Sequence, residues 1–330
     1  MIEITTSSRL HIALIDLNAS IGRVDGGIGL TLEEPGFRIV ADRSDTSGEV
    51  VVTSESAGGS VYVGRVRESV AALLQDSGGG GVGGIRIHIV HGAPSHVGLG
   101  SGTQCALAAG MAVNYLYDMG LSVRDIAVKV GRGGTSGVGV ASFERGGFIL
   151  DGGHRFSEKG VFKPSAASRS PPAPILFQRS FPGWEVVLAI PDVRGAHDDN
   201  EVDIFKQECP IPLSEVQELS HIILMETLPA VVEEDIELFG DSINRIQRTG
   251  FKRREISLQR PEIRQMIELM QENTCGAGMS SFGPVVYGIT DSRRDAGHVA
   301  CLAQEFLDET VGGCSIITHA SNSGADVRHV

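Results

Sequence analysis

Apolar and polar residues alternate in several short stretches of the chain, and alternation of period two is typical of a half-buried β-strand. The clearest stretch is Ile85-Arg-Ile-His-Ile-Val90, and continuous apolar runs elsewhere also predict strands. The predicted strands cover residues 1–6, 9–16, 28–32, 37–41, 49–53, 85–90, 143–151, 184–190, 285–290 and 314–318.

In other stretches the apolar residues recur three or four positions apart, which predicts amphipathic helices. Two of these helices open with a capping box, Ser122-Val-Arg-Asp125 and Ser214-Glu-Val-Gln217, and Pro261 is placed at the first helical position of another. A break is expected near Pro229. The predicted helices cover residues 61–74, 104–117, 122–131, 231–247, 261–270 and 294–310, and a further helical segment is predicted between the capping box at 214 and the break near 229.

This order of elements predicts an α+β protein, because strands and helices mix without strict alternation. The strand–helix–strand order over residues 285–318 fits half of a ferredoxin-like fold. A segment rich in Pro and Ser, 164–174, predicts a boundary between one domain at 1–165 and another at 175–330. The glycine-rich segments 18–29 and 77–84 are predicted to be a loop and a flexible connection.

Composition narrows the class of protein. The chain has 330 residues, of which 41% are hydrophobic, so it is long enough for one large or two ordinary domains with a substantial core. A net charge of −13 argues against a nucleic-acid-binding surface. The five scattered cysteines predict reduced thiols in a cytoplasmic protein, and no apolar run is long enough to cross a membrane.

A glycine-rich turn follows the strand at 85–90 and leads into a helix. Gly98, Gly100 and Gly102 allow a ligand to approach the backbone, and Ser101 and Thr103 add hydroxyl donors. Because a helix N-terminus presents unpaired N–H groups and the positive end of the helix dipole, this turn predicts an anion site, most often for phosphate. It is neither a Walker loop nor a dinucleotide fingerprint, since the required Lys-Ser/Thr pair and glycine spacing are absent.

Charged residues beside the first glycine segment are candidates for catalysis. Asp16 ends an apolar run, where a carboxylate can hold Mg²⁺ or face a cationic sugar, although a turn-capping role explains it nearly as well. Arg23 lies among glycines and can bind a phosphate or carboxylate with two hydrogen bonds, or it is a solvated loop residue. Asp25 is a weaker candidate metal ligand.

Hydroxyl and basic residues near two further glycine loops, 133–139 and 276–283, are candidates for phosphate binding. Arg9 and His11 share one face of the first strand, so both can face one cleft, although His11 is interpreted as structural. The basic cluster at 252–254 is interpreted as solvated surface. The candidates for contact with phosphate or ribose are Arg9, Arg132, Thr135, Ser136, Gly278, Ser280 and Ser281.

The phosphate loop, residues 98–103, resembles that of the GHMP kinase superfamily, which has the pattern Pro-x-x-x-Gly-Leu-Gly-Ser-Ser-Ala. The matching residues are Pro94, Gly98, Leu99, Gly100 and Ser101, whereas Gly102 and Thr103 replace the usual Ser-Ala. Segments 234–244 and 276–283 resemble two further motifs of the superfamily. The resemblance implies a two-domain fold, with an N-terminal phosphate-loop domain and a ferredoxin-like C-terminal domain.

Two features depart from the kinases of this superfamily. Thr6-Ser-Ser-Arg9 stands where a kinase usually has the lysine of Ala-Pro-Gly-Lys. Ser136-Gly137 is followed by Val138, Gly139 and Val140, so the acidic residue that several members place there is missing. A phosphoryl acceptor needs its proton removed or held, and these residues do neither.

The departing segments 8–18, 22–29, 132–139 and 250–255 are similar to the β-ribofuranosylaminobenzene 5′-phosphate synthases. The resemblance implies a decarboxylating phosphoribosyltransferase of methanopterin biosynthesis. In that reaction phosphoribosyl pyrophosphate and 4-aminobenzoate or 4-hydroxybenzoate give a C-riboside 5′-phosphate, carbon dioxide and pyrophosphate. It also implies Mg²⁺ dependence and a homodimer, and it favours Asp16 and Arg23 as catalytic residues.

The residues leave two other functions open. One is an ATP-dependent small-molecule kinase of the same superfamily, which would need a base that the sequence does not reveal. The other is a non-catalytic relative that binds a nucleotide or sugar phosphate without turnover. The choice between the two benzoates, the metal ligands and the dimer surface also stay open.

Overall fold

The computed structural model describes residues 1–75, 83–164, 168, 170–193 and 199–330, which form two β-sheets with helices packed against them. The strands are β1 (Ile2–Asp16), β2 (Arg23–Ser44), β3 (Val50–Ser54), β4 (Gly84–His91), β5 (Phe148–Asp151), β6 (His154–Arg155), β7 (Ile175–Arg179), β8 (Glu185–Pro191), β9 (Gly276–Met279), β10 (Val286–Thr290), β11 (Gly313–His319) and β12 (Asp326–His329).

The helices alternate irregularly with these strands. They are α1 (Ala57–Ser60), α2 (Val63–Gln75), α3 (Ser101–Leu116), α4 (Val123–Lys129), α5 (Val138–Glu144), α6 (Phe156–Lys159), α7 (Asp199–Glu208), α8 (Leu213–Ile222), α9 (Leu228–Glu233), α10 (Ile236–Ile246), α11 (Gly250–Ser257), α12 (Pro261–Asn273) and α13 (Arg293–Glu309). A π-helical turn, Ile223–Thr227, joins α8 to α9. The content confirms the predicted α+β class.

The first sheet has the order β12-β1-β2-β4-β3, and β2 also pairs with β5 and β6. Its neighbours are antiparallel except for the parallel pair β3–β4. The long strands β1 and β2 pair along most of their length, with irregularities after Thr6 and after His11. Helices α2, α3 and α4 cover one face and bury an aliphatic core between themselves and the sheet.

The second sheet has the order β11-β8-β10-β9, with every neighbour antiparallel. Numbered along the chain these strands lie 4-1-3-2, and α13 connects the third strand to the fourth, which confirms the predicted ferredoxin-like arrangement. Helices α12 and α13 pack on this sheet through a separate apolar core. No helix among the described ranges is long and apolar enough to cross a lipid bilayer.

Local signals placed most helix ends correctly but failed at two positions. Ser122 forms the predicted capping box with Asp125, and Pro261 opens α12 as predicted. Ser214 is not a cap, because α8 begins one residue earlier behind Pro212. The chain continues through Pro229 as a helix and breaks instead at Glu234, whose φ is +59°.

The predicted loop at 18–29 was wrong beyond residue 22. Strand β2 begins at Arg23, and residues 24–32 are buried in the sheet. The glycines were interpreted as a loop signal, but Gly29 allows β2 to pack closely against β1. A Cβ at that position would lie 2.4 Å from the Leu10 carbonyl oxygen. Most of the predicted flexible connection at 77–84 lies outside the described residues.

Two strands beyond the predicted domain boundary return to the first sheet. Strand β7 pairs with β5, and β12 pairs with β1. Some residues of the 164–174 boundary segment, 165–167 and 169, lie outside the described ranges, so the limits 1–165 and 175–330 stay a prediction. The pairing nevertheless ties the two ends of the chain into one sheet.

Candidate active site

A cleft of about 580 Å³ opens between the phosphate loop, β1, α2 and the second glycine loop, 133–139. The third glycine loop, together with Phe205 of α7 and Glu255 of α11, forms its remaining wall. One end is lined by the phosphate loop and arginines, and the other by apolar and aromatic side chains. The cleft therefore offers different chemistry at its two ends.

The phosphate loop leads directly into α3, whose N-terminus faces the cleft. Gly100 is the N-cap, and its carbonyl accepts hydrogen bonds from the N–H groups of Thr103 and Gln104. The N–H groups of Ser101 and Gly102 find no acceptor in the described part of the chain. Together with the helix dipole, these two groups are suited to bind an anion.

Arg9 lies across the phosphate loop. Its guanidinium donates to the Gly98 carbonyl, and its backbone N–H donates to the Leu99 carbonyl at 3.1 Å. Only glycine suits position 100, because φ there is +74° and a Cβ would lie 2.9 Å from Arg9 Nε. Leu99 itself points into an apolar core and is fully buried, so it anchors the loop.

Two further arginines line the same end of the cleft. Arg132 Nη2 lies 3.9 Å from the position that a Cβ on Gly102 would occupy. Its Nε is buried and has no hydrogen-bond partner among the described residues. Arg65 of α2 also lines the cleft, with Glu68 one turn further along the helix. A buried donor without an acceptor is costly, so the Arg132 guanidinium is suited to receive an anion.

The third glycine loop packs against the phosphate loop and β1. Ser280 Oγ donates to the Gly98 carbonyl at 2.8 Å and accepts from the His11 N–H at 3.0 Å. The Ser281 N–H donates to the His11 carbonyl at 2.8 Å, and Ser281 lines the cleft. Gly278 lies in β9 away from the cleft lining, where a Cβ would collide with the Gln247 side chain. Ser280 thus positions the loop, whereas Gly278 serves packing.

The second glycine loop contributes hydroxyl groups that form hydrogen bonds with buried charged side chains. Ser136 lines the cleft, and its Oγ donates to Asp151 Oδ2 at 3.0 Å. The N–H groups of Gly137 and Gly153 donate to the same carboxylate at 2.9 and 3.0 Å. Burial nevertheless raises the pKa of Asp151 to about 6.

Thr135 also lines the cleft and is connected to a second buried carboxylate. Lys159 Nζ donates to Thr135 Oγ1 at 3.0 Å and to Asp25 Oδ2 at 2.7 Å. His154 Nδ1 lies 2.6 Å from the same Asp25 oxygen. Both Asp25 oxygens accept hydrogen bonds from Lys159, and the side chain is fully buried. Neither oxygen is therefore available to a ligand in the cleft.

Asp16 and Arg23 do not line the cleft. Asp16 Oδ1 accepts from the N–H groups of Asn18 and Ala19 at 2.8 and 3.0 Å, which is the turn-capping arrangement. The Arg23 guanidinium donates to the carbonyls of Gly152 and Gly153. In this structure both side chains hold neighbouring loops, and a catalytic role for either stays a prediction.

The basic cluster at 252–254 divides between interior and surface. Lys252 was expected on the surface, but its side chain is fully buried, 2.5 Å from Glu255 Oε2 and 2.8 Å from the Ser281 carbonyl oxygen. Helical spacing placed Lys252 on the inner face of α11, a signal visible only once the helix is known. Arg254 is bound to Glu215 and Glu208.

Several lining residues carried no sequence signal. Leu14, Phe205 and Phe282 form the apolar end of the cleft. The rings of Phe205 and Phe282 have centroids 6.1 Å apart, and Phe251 packs behind both. An apolar residue that lines a site looks the same in the sequence as one in a core, so only the fold reveals them.

The comparisons agree with this architecture. The family models for the GHMP kinase N-terminal and C-terminal domains match residues 62–147 and 227–308. The β-ribofuranosylphenol 5′-phosphate synthase of Archaeoglobus fulgidus is 46% identical over 329 residues, covering 99% of this chain and 100% of that protein. The synthase of the same name from Methanocaldococcus jannaschii is 43% identical, covering 97% of this chain and 98% of the relative.

Solved structures resemble the fold at much lower identity. The mevalonate kinase of L. major in complex with R-mevalonate has a TM-score of 0.68 at 13% identity, with 98% of this chain and 96% of that one covered. The homoserine kinase of Cytophaga hutchinsonii has a TM-score of 0.65 at 16% identity, with 99% and 97% covered. These similarities establish a common architecture.

Proposed function

This chain belongs to the β-ribofuranosylphenol 5′-phosphate synthases of the GHMP kinase superfamily, enzymes of the methanopterin pathway, and we propose that it condenses phosphoribosyl pyrophosphate with 4-hydroxybenzoate. The sequence identity of 43–46% to three synthases of that name, over nearly the whole chain, is the observation that supports the proposal. A ribofuranosylphenol arises from the hydroxybenzoate, whereas the aminobenzoate would give an aniline. The relatives' name therefore favours the hydroxybenzoate of the two acids that the sequence left open.

The polar end of the cleft fits the polyanionic substrate. Phosphoribosyl pyrophosphate carries phosphate groups at both ends of its sugar. The N–H groups of Ser101 and Gly102 and the guanidinium groups of Arg132 and Arg65 line that end. Loss of pyrophosphate develops positive charge on the ribose C1 and negative charge on the leaving group, and fixed donors at the leaving group lower that barrier.

The apolar end fits the aromatic acid. Leu14, Phe205 and Phe282 line the cleft from a packed apolar cluster and are at most 5% exposed, so a benzene ring would contact their edges, and ring–ring contacts add about 1 kcal/mol beyond burial. A ring held there and a sugar held at the phosphate loop would meet in the middle of the cleft. Such positioning of two reactants supplies much of the catalysis of a bimolecular reaction.

Mg²⁺ remains part of the proposal, but Asp16 and Asp25 do not fit as its ligands. Both Asp25 oxygens bind Lys159, one of them also His154, and Asp16 caps a turn outside the cleft. No cluster of three or more His, Cys, Asp or Glu suited to a metal occurs in the described ranges. Mg²⁺ commonly binds through one or two carboxylates plus substrate phosphates, and Glu68 with the Ser101 hydroxyl offers such oxygens in the cleft. There the ion would neutralise charge on the pyrophosphate.

The kinase alternative has less support in the cleft. The acceptor base that it needs is missing after Ser136, and the Asp151 carboxylate behind Ser136 already accepts three hydrogen bonds. A non-catalytic relative would not need an aromatic wall opposite the phosphate loop.

We also propose that the protein is a homodimer and that it is cytoplasmic. All five cysteines are free thiols, which supports a reducing compartment.

Calorimetry and product assays test the proposal together. Phosphoribosyl pyrophosphate with Mg²⁺ should bind, and addition of carboxyl-labelled 4-hydroxybenzoate should release labelled carbon dioxide. Arg132→Ala should weaken phosphoribosyl pyrophosphate binding at least about tenfold, because a charge-assisted contact contributes roughly 1.5–3 kcal/mol. Arg67→Ala, an exposed arginine on the same helix as Arg65, is the matched control. Binding of ATP without carbon dioxide release would overturn the proposed function.

A further inference from the structure

His11 lines the cleft, and its imidazole can present an acceptor nitrogen there. Its backbone is fixed on both sides, by Ser280 Oγ and by the Ser281 N–H. Its ring nitrogens form no hydrogen bond to another described residue. Nε2 lies 3.0 Å from the position that a Cβ on Gly27 would occupy, so a glycine at position 27 lets the ring pack closely against β2 with Nε2 beside the Ser136 hydroxyl of the cleft wall.

The place of His11 along β1 puts it between the two substrates of the proposed reaction. Arg9, two residues earlier, contacts the phosphate loop, and Leu14, three residues later, belongs to the apolar end. A sugar bound by the phosphate loop and a ring bound by the aromatic wall would therefore both pass His11. Ser136, whose Oγ lies 3.1 Å from the same Cβ position at Gly27, is the nearest hydroxyl to this space. Because Ser136 already donates to Asp151, it is a poor proton acceptor.

The proposed chemistry needs an acceptor for one particular proton. The ring carbon that bears the carboxylate attacks C1 of the ribose, and the hydroxyl lies para to that carbon. Electron flow from the hydroxyl oxygen into the ring makes the attack possible and makes the O–H strongly acidic as the new bond forms. A positioned base that takes this proton typically contributes about 10²–10⁴-fold in rate.

We propose that His11 Nε2 accepts the phenolic proton of the aromatic acid as the ring carbon bonds to the ribose. This inference rests on the proposed function and adds a catalytic residue to it. The C–O bond to pyrophosphate breaks with its electron pair, the C–C bond forms, and the O–H pair becomes the carbonyl of a dienone. The C–CO₂ bond then breaks, its electrons restore the aromatic ring, carbon dioxide leaves, and His11 returns the proton to the oxygen.

The charges around His11 favour the neutral, accepting form. Burial, and then the positive charges of Arg9 and Lys252, hold the pKa of His11 well below its usual range, so the ring is neutral at pH 7. Two carboxylates also belong to this part of the cleft: Glu255, paired with Lys252 on α11, lines it, and Asp151 lies behind Ser136. A bound pyrophosphate adds negative charge and raises the proton affinity of His11 when the substrate is present.

Substitution of His11 with a shape-matched residue separates this role from a structural one. His11→Asn should lower kcat with 4-hydroxybenzoate by about 10²-fold or more, while the Kd for phosphoribosyl pyrophosphate changes less than about threefold. The loss should shrink with 3,5-difluoro-4-hydroxybenzoate, whose hydroxyl ionises without help. It should also shrink with 4-aminobenzoate, whose nitrogen donates its lone pair before losing a proton. His298→Asn, on the exposed face of α13, is the control.

The outcomes separate the two proposals. Wild-type protein that releases no carbon dioxide contradicts the proposed function. Wild-type activity with an equal loss for all three acids in His11→Asn contradicts the role of His11 alone. If His11→Asn does not fold, Gly27→Ala provides a second test, because its methyl would press on Nε2 from 3.0 Å and on Ser136 Oγ from 3.1 Å and so displace the proposed base. That variant should slow the 4-hydroxybenzoate reaction without changing phosphoribosyl pyrophosphate binding, and an unchanged rate would place the hydroxyl elsewhere.

Discussion

Asp151 shows at the residue scale how a buried carboxylate makes stability depend on pH. Its pKa in the folded protein is about 6, against an ordinary value of 3.8. The folded state therefore binds more protons than the unfolded state between these values. The contribution of Asp151 to stability is fully present below pH 3.8 and is lost as the pH rises through 6, by about 3 kcal/mol in total.

A comparison of wild type with Asp151→Asn isolates this effect. We expect the wild-type free energy of unfolding, relative to that of the variant, to fall by about 1 kcal/mol between pH 5 and pH 7. Urea unfolding at the two pH values measures the difference, and groups common to both proteins cancel. A difference that does not change with pH would mean that Asp151 titrates normally in the folded protein.

Individual residues also differ in whether the sequence alone reveals that they belong to the site. Gly100, Ser101 and Arg132 belong to local patterns whose chemistry is legible without the fold, and all three line the cleft. Arg23 and Asp16 belong to equally suggestive patterns, yet they bind backbone groups of neighbouring loops. The partners of Arg23 lie some 130 residues away, so no local pattern distinguishes a substrate-binding arginine from one that holds a loop.

At the scale of elements, two helical glycines with identical chemistry should respond oppositely to alanine. A Cβ on Gly110 of α3 would lie 2.5 Å from Ile126 Cγ2 of α4, whereas a Cβ on Gly297 of α13 meets nothing within 4 Å. We expect Gly110→Ala to destabilise by about 1–3 kcal/mol through overpacking. Gly297→Ala should stabilise by about 0.5–1 kcal/mol through helix propensity. Urea unfolding at one pH tests both, and equal effects would rule out this packing of α3 against α4.

Helix α11 contains a buried ion pair, Lys252–Glu255, and removal of either partner alone should lower the stability of the protein. Lys252→Met leaves Glu255 buried without its cation, and we expect a loss of about 3–5 kcal/mol. The double variant Lys252→Met/Glu255→Met should lose clearly less, because no uncompensated charge remains. Thermal and urea unfolding of the three variants, including Glu255→Met alone, form a double-mutant cycle. A coupling energy near zero would contradict the ion pair.

Element boundaries were predictable where a single residue decides them. Ser122 and Pro261 act on the backbone beside them, so their signals survived in the fold. The start of β2 did not follow its local composition, because pairing with β1 and β5 outweighs the poor strand propensity of three nearby glycines. Pro229 usually would end a helix, but here the chain stays helical through it, with a π-helical turn just before the proline.

At the scale of the whole molecule, β12 should stabilise the first sheet out of proportion to its length. Its four residues pair with β1, and Ala325 and Val327 pack against the core beneath α2 and α3. We expect truncation after Gly324 to lower the free energy of unfolding by a few kcal/mol and to promote association through the exposed edge of β1. Light scattering and urea unfolding test this, with Val330 deletion as the control. Unchanged stability would show that β12 is dispensable.

The α+β class and the ferredoxin-like half were predictable, whereas the return of the chain to the first sheet was not. Motif order and periodicity report on neighbours in sequence, and they led to the ferredoxin-like half correctly. The pairing of Thr5 with Asp326 joins residues at opposite ends of the chain. Such a contact leaves no local signal, because β12 reads as a short polar tail until the edge that it covers is known.

The pairing of β12 with β1 also has a consequence for biosynthesis. Strand β1 leaves the ribosome long before β12, because the two strands are far apart in the sequence, so the outer edge of β1 stays open until β12 has been synthesised. The second sheet is complete by residue 319, before its companion. Closure of the first sheet must therefore follow the synthesis of the second, and the open edge of β1 is exposed to pairing with other strands during that interval.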